Sequence, residues 1–127
     1  QAALGLEKLK TLEQRIAERR EKAELYLSLL RPDIHVQQIA DGCTSTWYFF
    51  VATLPCEARN VRRKLLLRGI DAGVEDEIAD DCAMMLGYGD CSNVSHVFRR
   101  AINLPMYENL TEKVIRRVAE TLNKVIG

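Results

Sequence analysis

The chain has 127 residues, enough for one domain with its own hydrophobic core. It carries 18 lysines and arginines against 18 aspartates and glutamates, a formal net charge of zero. This balance argues against a nucleic-acid-binding protein, whose basic residues cluster on one face, and the sequence has no run of about 18 apolar residues that would predict a membrane span. With no secretory signal in the sequence either, we expect a cytoplasmic protein.

The opening segment predicts one long amphipathic helix over residues 1–31. Its apolar residues recur at helical spacing and are Leu6, Leu9, Leu12, Ile16, Ala23, Leu27 and Leu30. Pro32 should end the helix because proline has no amide hydrogen to donate. Roughly thirty residues at 1.5 Å each give a rod of about 45 Å. Since that is long for so small a domain, we expect residues 1–31 to be a linking helix and residues 32–127 to form a small domain.

Two strands are predicted next. The segment Ile34–Ile39 alternates apolar and polar residues, which indicates a strand with one solvated face. The segment Ser45–Leu54 is rich in aromatic and β-branched residues, which favours a more central strand. Asp41 and Gly42 between them are typical of a hairpin turn.

Neighbouring residues on a strand point to opposite faces, so one of Trp47 and Tyr48 should enter the core and the other should face away from it. An aromatic side chain with a polar tip in that position could contact a ligand. Cross-strand aromatic packing is the simpler interpretation of the pair.

The second half of the chain predicts alternating helices and strands. A helix of about three turns should bury Ala58, Val61 and Leu65 and end at Gly69 as its C′ residue. A short strand is predicted at GIDAGVED, and a weak helix that ends in a Gly-rich loop at IADDCAMMLGYGDC. A short edge strand, where proline is tolerated, is predicted at INLPMY. Between the weak helix and the edge strand we predict a helix whose inward residues are Val94, Val97, Phe98 and Ala101.

The last helix gives the clearest pattern. Thr111 should cap it, and its predicted apolar stripe is Val114, Val118, Leu122 and Val125. The complete order is helix, two strands, helix, strand, helix, strand and helix. It predicts an α/β fold with a small sheet covered by helices, mostly on one face.

Residues of the kinds that bind zinc cluster in the second half, and they are Asp80, Asp81, Cys82, Asp90, Cys91 and His96. Their spacing fits no zinc motif, so we expect no metal site there and interpret the cluster as a polar surface loop with two half-buried thiols. Cys82 or Cys91 as a nucleophile would need a base, and His96 is predicted to be a partly buried helix residue instead. All four cysteines are interpreted as small buried residues rather than a disulfide framework.

Four stretches, taken together and in order, resemble a known family. They are QAALGLEKLKTLEQRIAERREKAELYLSLL, STWYFFV, RRKLLLRGI and INLPMYENLTEKVIRRV. Together they are similar to the C-terminal part of the DegT/DnrJ/EryC1/StrS aminotransferases, sugar aminotransferases that use pyridoxal phosphate (PLP).

The resemblance implies the small C-terminal domain of a fold-type I PLP-dependent aminotransferase, with a long N-terminal helix and a sheet of three or four strands. In that family the opening helix leads out of a large domain that carries the cofactor and its aldimine lysine. The lysines of this chain lie on helices interpreted as solvated, so we expect no catalytic residue and no bound PLP here. The implied parent is a homodimer that transaminates a nucleotide-linked keto sugar, and the implied partner is the large domain of the same chain.

The resemblance also implies a site. Trp47 stands where the family has its strand tryptophan, and Tyr48 stands where it often has a histidine that faces cofactor and substrate. Tyr48 is therefore the expected cofactor- and substrate-facing residue, with Trp47 packed behind it. The chain departs from the family pattern at Lys8, at Glu108, and at Val74 and Glu75, which replace a His-Tyr pair.

A second interpretation remains open at this point. The same pattern of helices and strands would suit a stand-alone small α/β module for binding or dimerisation. The coding sequence upstream of residue 1 would distinguish the two.

Overall fold

The computed structural model describes residues 2–89 and 91–127. Within these residues there are six α-helices, a single-turn 3-10 helix and four strands. In chain order they are α1 (Ala2–Leu9), α2 (Leu12–Leu29), β1 (His35–Val36), β2 (Phe50–Thr53), α3 (Ala58–Leu66), β3 (Gly73–Val74), the 3-10 helix (Glu75–Glu77), α4 (Cys82–Met85), α5 (Ser92–Arg100), β4 (Ala101–Leu104) and α6 (Glu112–Ile126).

The prediction of a single opening helix is wrong, because the helix is interrupted between α1 and α2. At the break, the backbone amide and the hydroxyl of Thr11 both donate to the carbonyl of Lys8, at 3.4 and 3.3 Å. Such local bonding by threonine competes with the regular helical ladder. The predicted end before Pro32 is confirmed, since α2 stops at Leu29 and Leu30 has extended dihedral angles. Gln1 lies outside the described residues.

The strands form one antiparallel sheet in the order β1-β2-β4-β3. Phe50 pairs with Leu104 across β2 and β4, and Gly73 pairs with Asn103 across β3 and β4. The prediction of an edge strand near Pro105 is therefore wrong, because β4 is interior. Proline is tolerated there because it follows the last paired residue, Leu104, and so takes no place in the ladder.

The hydrophobic core lies on one face of the sheet. Strands β2 and β4 contribute the side chains of Phe50, Ala52, Ile102 and Leu104 to this core, while Asn103 is only half-buried. Helices α2 and α3 pack against α6, so these three helices and that face of the sheet enclose the core. The predicted α/β fold with helices on a small sheet is confirmed.

Helix ends follow the sequence signals closely. In α3 the amide of Ile70 donates to Leu65 and that of Gly69 to Leu66, at 3.1 and 2.9 Å, with Gly69 at φ 72°. This pattern is a Schellman motif with glycine at C′, as predicted. Thr111 caps α6 through its hydroxyl, which accepts from the Val114 amide at 3.4 Å.

Two helix faces differ from prediction. In α6, Ile115 is buried together with three predicted residues, while Val114 is exposed. In α5, Val94 and Val97 are both 48% exposed, because they line an open groove with Val51 and Ile78 and not the closed core. Among the described residues no helix has both the length and the apolar character that crossing a membrane requires.

Candidate functional site

A tight turn before β2 separates two neighbouring aromatic residues. Trp47 has φ 48°, a left-handed conformation that is unfavourable for a bulky residue, and its amide donates to the Ser45 hydroxyl at 3.1 Å. Its ring stacks on Phe50 at 5.4 Å between centroids and is 8% exposed. Tyr48, the next residue, is 64% exposed. The two side chains therefore point in different directions, as predicted. The backbone at these residues is a turn and not a strand, however, since β2 begins only at Phe50.

Tyr48 lies at a cleft of about 560 Å³. Its lining residues come from α2, from the turn before β2, and from the segments around β3 and β4: Arg19, Tyr48, Phe49, Asp71, Ala72, Gly73, Asn103, Leu104, Pro105, Met106, Tyr107, Glu108 and Asn109. The Tyr48 ring meets the ring of Phe49 edge-on at 4.8 Å, and the guanidinium of Arg19 lies 5.5 Å from the Tyr48 centroid. That distance suits a cation–π contact.

The half-buried side of the sheet contributes to the same cleft. Asn103 and its cross-strand partner Gly73 both line it. A Cβ added at Gly73 would lie 3.5 Å from the Cβ of Asn103, so glycine leaves extra room beside that side chain. Asn103 Oδ1 and Arg19 Nε are buried, yet neither has a hydrogen-bond partner among the described residues.

The opposite wall, residues 105–109, is tied to helix α2. The Tyr26 hydroxyl donates to the carbonyl of Pro105 at 3.1 Å. Lys22 Nζ donates to the carbonyls of Tyr107 and Glu108 at 3.2 and 2.5 Å, and Arg15 pairs with the Glu108 carboxylate. Burial, with a smaller contribution from Tyr107, raises the pKa of Tyr26, so its hydroxyl remains a donor. These bonds hold the wall in place.

The cleft does not fit PLP by itself. A PLP enzyme supplies a lysine for the Schiff base and an acidic partner for the pyridine nitrogen. All six lysines of the chain are among the described residues, and none lines the cleft. The described residues offer side chains that could face a ligand, but not the group that would hold this cofactor.

The other candidate residues do not form a site. Asp81 is buried and accepts from the Met84 amide at 3.1 Å and from the Ser95 hydroxyl at 3.0 Å, so it caps α4 and ties it to α5. Among the described residues no three histidines, cysteines or acidic residues are placed to bind a metal, and Asp90 lies outside those residues.

The burial predicted for the cysteines and for His96 is wrong. All four cysteines are described and free, but Cys43, Cys82 and Cys91 are exposed and only Cys56 is half-buried. His96 is exposed as well. Cys82 and Cys91 lie at the starts of α4 and α5, helices with no buried residue among those described, so no layer covers the thiols.

The family model for DegT/DnrJ/EryC1/StrS aminotransferases matches residues 1–123. The chain belongs to this family. No curated protein sequence matches it.

Solved structures with the same fold include three aminotransferase-related chains. The aminotransferase TlmJ from Streptoalloteichus hindustanus has a TM-score of 0.86 at 20% identity, over 98% of this chain and 35% of its own. The sugar aminotransferase CalS13 from Micromonospora echinospora has a TM-score of 0.79 at 21% identity, over 96% of this chain and 34% of its own. Spr1654 from Streptococcus pneumoniae is known in a PMP-form and a PLP-form. Its PMP-form has a TM-score of 0.85 at 19% identity, over 98% of this chain and 34% of its own. This DegT/DnrJ/EryC1/StrS chain thus spans about a third of the length of these structures.

Sequence reasoning missed two residues of the cleft, Arg19 and Asn103. The family pattern that the opening segment resembles has an arginine at the position of Arg19, but only the fold brings that side chain to Tyr48. For Asn103 a signal existed, since one polar residue interrupts the apolar run of β4.

Proposed function

We propose that this chain is the small C-terminal domain of a PLP-dependent aminotransferase that transfers an amino group to a nucleotide-linked keto sugar. Membership of the DegT/DnrJ/EryC1/StrS family supports the reaction class. The sugar is supported by the likeness to the sugar aminotransferase CalS13, and the cofactor by the PLP- and PMP-forms of Spr1654.

Within that proposal, the cleft is the surface that faces cofactor and substrate. The observation that carries this step is the contrast between Trp47, 8% exposed and stacked in the core, and Tyr48, 64% exposed at the cleft. A phenol hydroxyl can donate and accept a hydrogen bond. Tyr48 would therefore contact the ligand, while Trp47 supports the turn from behind.

The remaining partners follow from the same proposal. Residues 1–31 would link this domain, residues 32–127, to a large domain of the same chain that supplies the aldimine lysine. In α1, Leu4, Leu6 and Leu9 are 62–64% exposed, an apolar surface of the kind that interaction sites present. The complete enzyme would be a homodimer.

The test uses the full-length product of the gene that contains these residues. We expect it to aminate a nucleotide-linked keto sugar in the presence of PLP and an amino-acid donor, measured by the mass of the product. Tyr48→Ala should lower kcat/KM by roughly tenfold, the loss expected for about one contact. Tyr88→Ala, which removes another exposed tyrosine, should leave it unchanged. A gene that encodes no aldimine lysine would contradict the proposal and favour a stand-alone binding or dimerisation module.

A further inference from the structure

Two unpaired polar atoms line the same cleft. Arg19 Nε and Asn103 Oδ1 are buried without a hydrogen-bond partner among the described residues. A buried polar group left unpaired destabilises the folded state, so such groups are rare in folded proteins. The Nε of Arg62 is a third example, but that guanidinium forms an ion pair with Glu77 at 2.8 Å. Among the described carboxylates, none pairs with Arg19.

The two atoms have opposite hydrogen-bonding character. Arg19 Nε carries a hydrogen and can only donate, whereas the amide oxygen of Asn103 can only accept. A ligand that satisfies both must offer an acceptor to one and a donor to the other. Hydroxyl groups do both, but a carboxylate or a phosphate ester is an acceptor alone and would leave Asn103 Oδ1 unpaired.

The surroundings leave Arg19 available to a ligand. The carboxylates at the edge of the cleft, Asp71 and Glu108, are 82% and 51% exposed and pair with Arg62 and Arg15 instead of Arg19. Tyr48 and Phe49 present apolar ring surface to the same space. The cleft volume, about 560 Å³, falls within the range of about 300–1,000 Å³ that is typical of small-molecule sites.

We propose that Arg19 and Asn103 are specificity-determining residues that bind hydroxyl groups of a sugar ring, Arg19 as donor through Nε–H and Asn103 as acceptor through Oδ1. The inference rests on the proposed function and deepens it by naming the side chains that select a polyhydroxylated substrate. The rings of Tyr48 and Phe49 contact the carbon face of the sugar, and the missing Cβ of Gly73 leaves space beside Asn103.

Steady-state kinetics of the full-length enzyme test this inference. Arg19→Gln and Asn103→Leu should each raise the KM for the keto sugar by about tenfold, since each removes one hydrogen bond and leaves a substrate hydroxyl unpaired. The KM for the amino donor should not change. Arg19→Lys keeps the charge but not the Nε–H, so it should not restore the KM for the sugar. Arg116→Gln on the exposed side of α6 is the matched control. Equal unfolding midpoints would establish that the variants fold.

The outcomes separate this inference from the proposed function. If the wild-type enzyme aminates the sugar and both variants keep its KM, or Arg19→Lys restores it, the inference is overturned and the proposed function stands. If the wild-type enzyme aminates no sugar, the proposed function fails, and side-chain NMR of the 127-residue chain decides the inference. In that experiment glucose should shift the Arg19 Nε–H and Asn103 amide signals more than inorganic phosphate does. No response to glucose, or a larger response to phosphate, overturns it.

Discussion

Helices α1 and α2 share one apolar repeat, but their apolar faces lie in different environments. In α2, Ala23 and Tyr26 are fully buried, and the Tyr26 ring packs 4.8 Å from that of Phe50. In α1, Leu4, Leu6 and Leu9 remain 62–64% exposed, and none of its described residues is buried. A periodic apolar face shows which side of a helix needs a partner. Only the fold shows whether the partner is within the chain.

The largest effect should come from the core that α2 shares with α6. Leu122 is fully buried, so Leu122→Ala should lower the free energy of unfolding by about 2–5 kcal/mol. The same change at Leu6, which is 64% exposed, should cost less than about 0.5 kcal/mol. Urea unfolding followed by circular dichroism measures both. Similar losses at the two positions would mean that α1 is packed as tightly as α6.

The stability of the region that contains α4 and α5 should depend on the buried carboxylate of Asp81. Asp81→Ala removes the cap of α4 and its bond to Ser95, so we expect a loss of about 1–2 kcal/mol in unfolding free energy. Asp80→Ala is the matched control, because Asp80 is exposed. An equal effect of the two substitutions would show that Asp81 does not stabilise this region.

A smaller loss should follow from untying α2 from the cleft wall. Tyr26→Phe keeps the packed ring but removes the hydrogen bond to Pro105, which should cost about 1 kcal/mol in unfolding free energy. The amides of the wall should also exchange hydrogen faster, as mass spectrometry would show. Unchanged exchange would mean that the other bonds alone fix the wall.

The Tyr26 hydroxyl also predicts that the stability of the fold depends on pH in the alkaline range. The pKa of Tyr26 lies above its ordinary value of 10.0, first because of burial and then because of Tyr107. Above about pH 10 the unfolded chain loses a proton that the folded chain keeps. The contribution of Tyr26 is therefore complete below that pH and declines as pH rises further. Between about pH 9 and about pH 11 the urea midpoint of the wild type should fall more than that of Tyr26→Phe. Equal decreases of the urea midpoint in the two proteins would mean that groups other than Tyr26 cause the pH dependence.

The smallest effect on stability, and the clearest on association, should come from α1. Replacing Leu4, Leu6 and Leu9 by serine should change the free energy of unfolding by less than about 0.5 kcal/mol. The wild-type chain should associate with itself through this face as its concentration rises, and the variant should not. Sedimentation velocity at several concentrations measures this. Identical association of the two proteins would place the contact elsewhere.

The predictable parts of the fold rest on local chemistry. The burial of Ala58, Val61 and Leu65, the glycine stop at Gly69 and the cap at Thr111 each follow from a few neighbouring residues. Helix period, left-handed glycine and hydroxyl capping act within one or two turns, so the sequence contains the whole cause.

The unpredictable parts depend on distant contacts. β4 is interior because β3 adds to its outer edge, and no signal in its own sequence requires that partner. The left-handed Trp47 is maintained by Phe50 and Ser45 against its backbone preference. Tyr48 was singled out by the family resemblance, whereas Arg19 and Asn103 reach the cleft from separate elements that only the fold brings together.

The most direct test of the whole account locates the lysine that binds the cofactor. The full-length gene product is mixed with PLP, reduced with borohydride and mapped by peptide mass spectrometry. We predict stoichiometric labelling of one lysine outside residues 1–127, with the six lysines of this chain labelled only in trace amounts. Stoichiometric labelling of any one of those six would contradict the account.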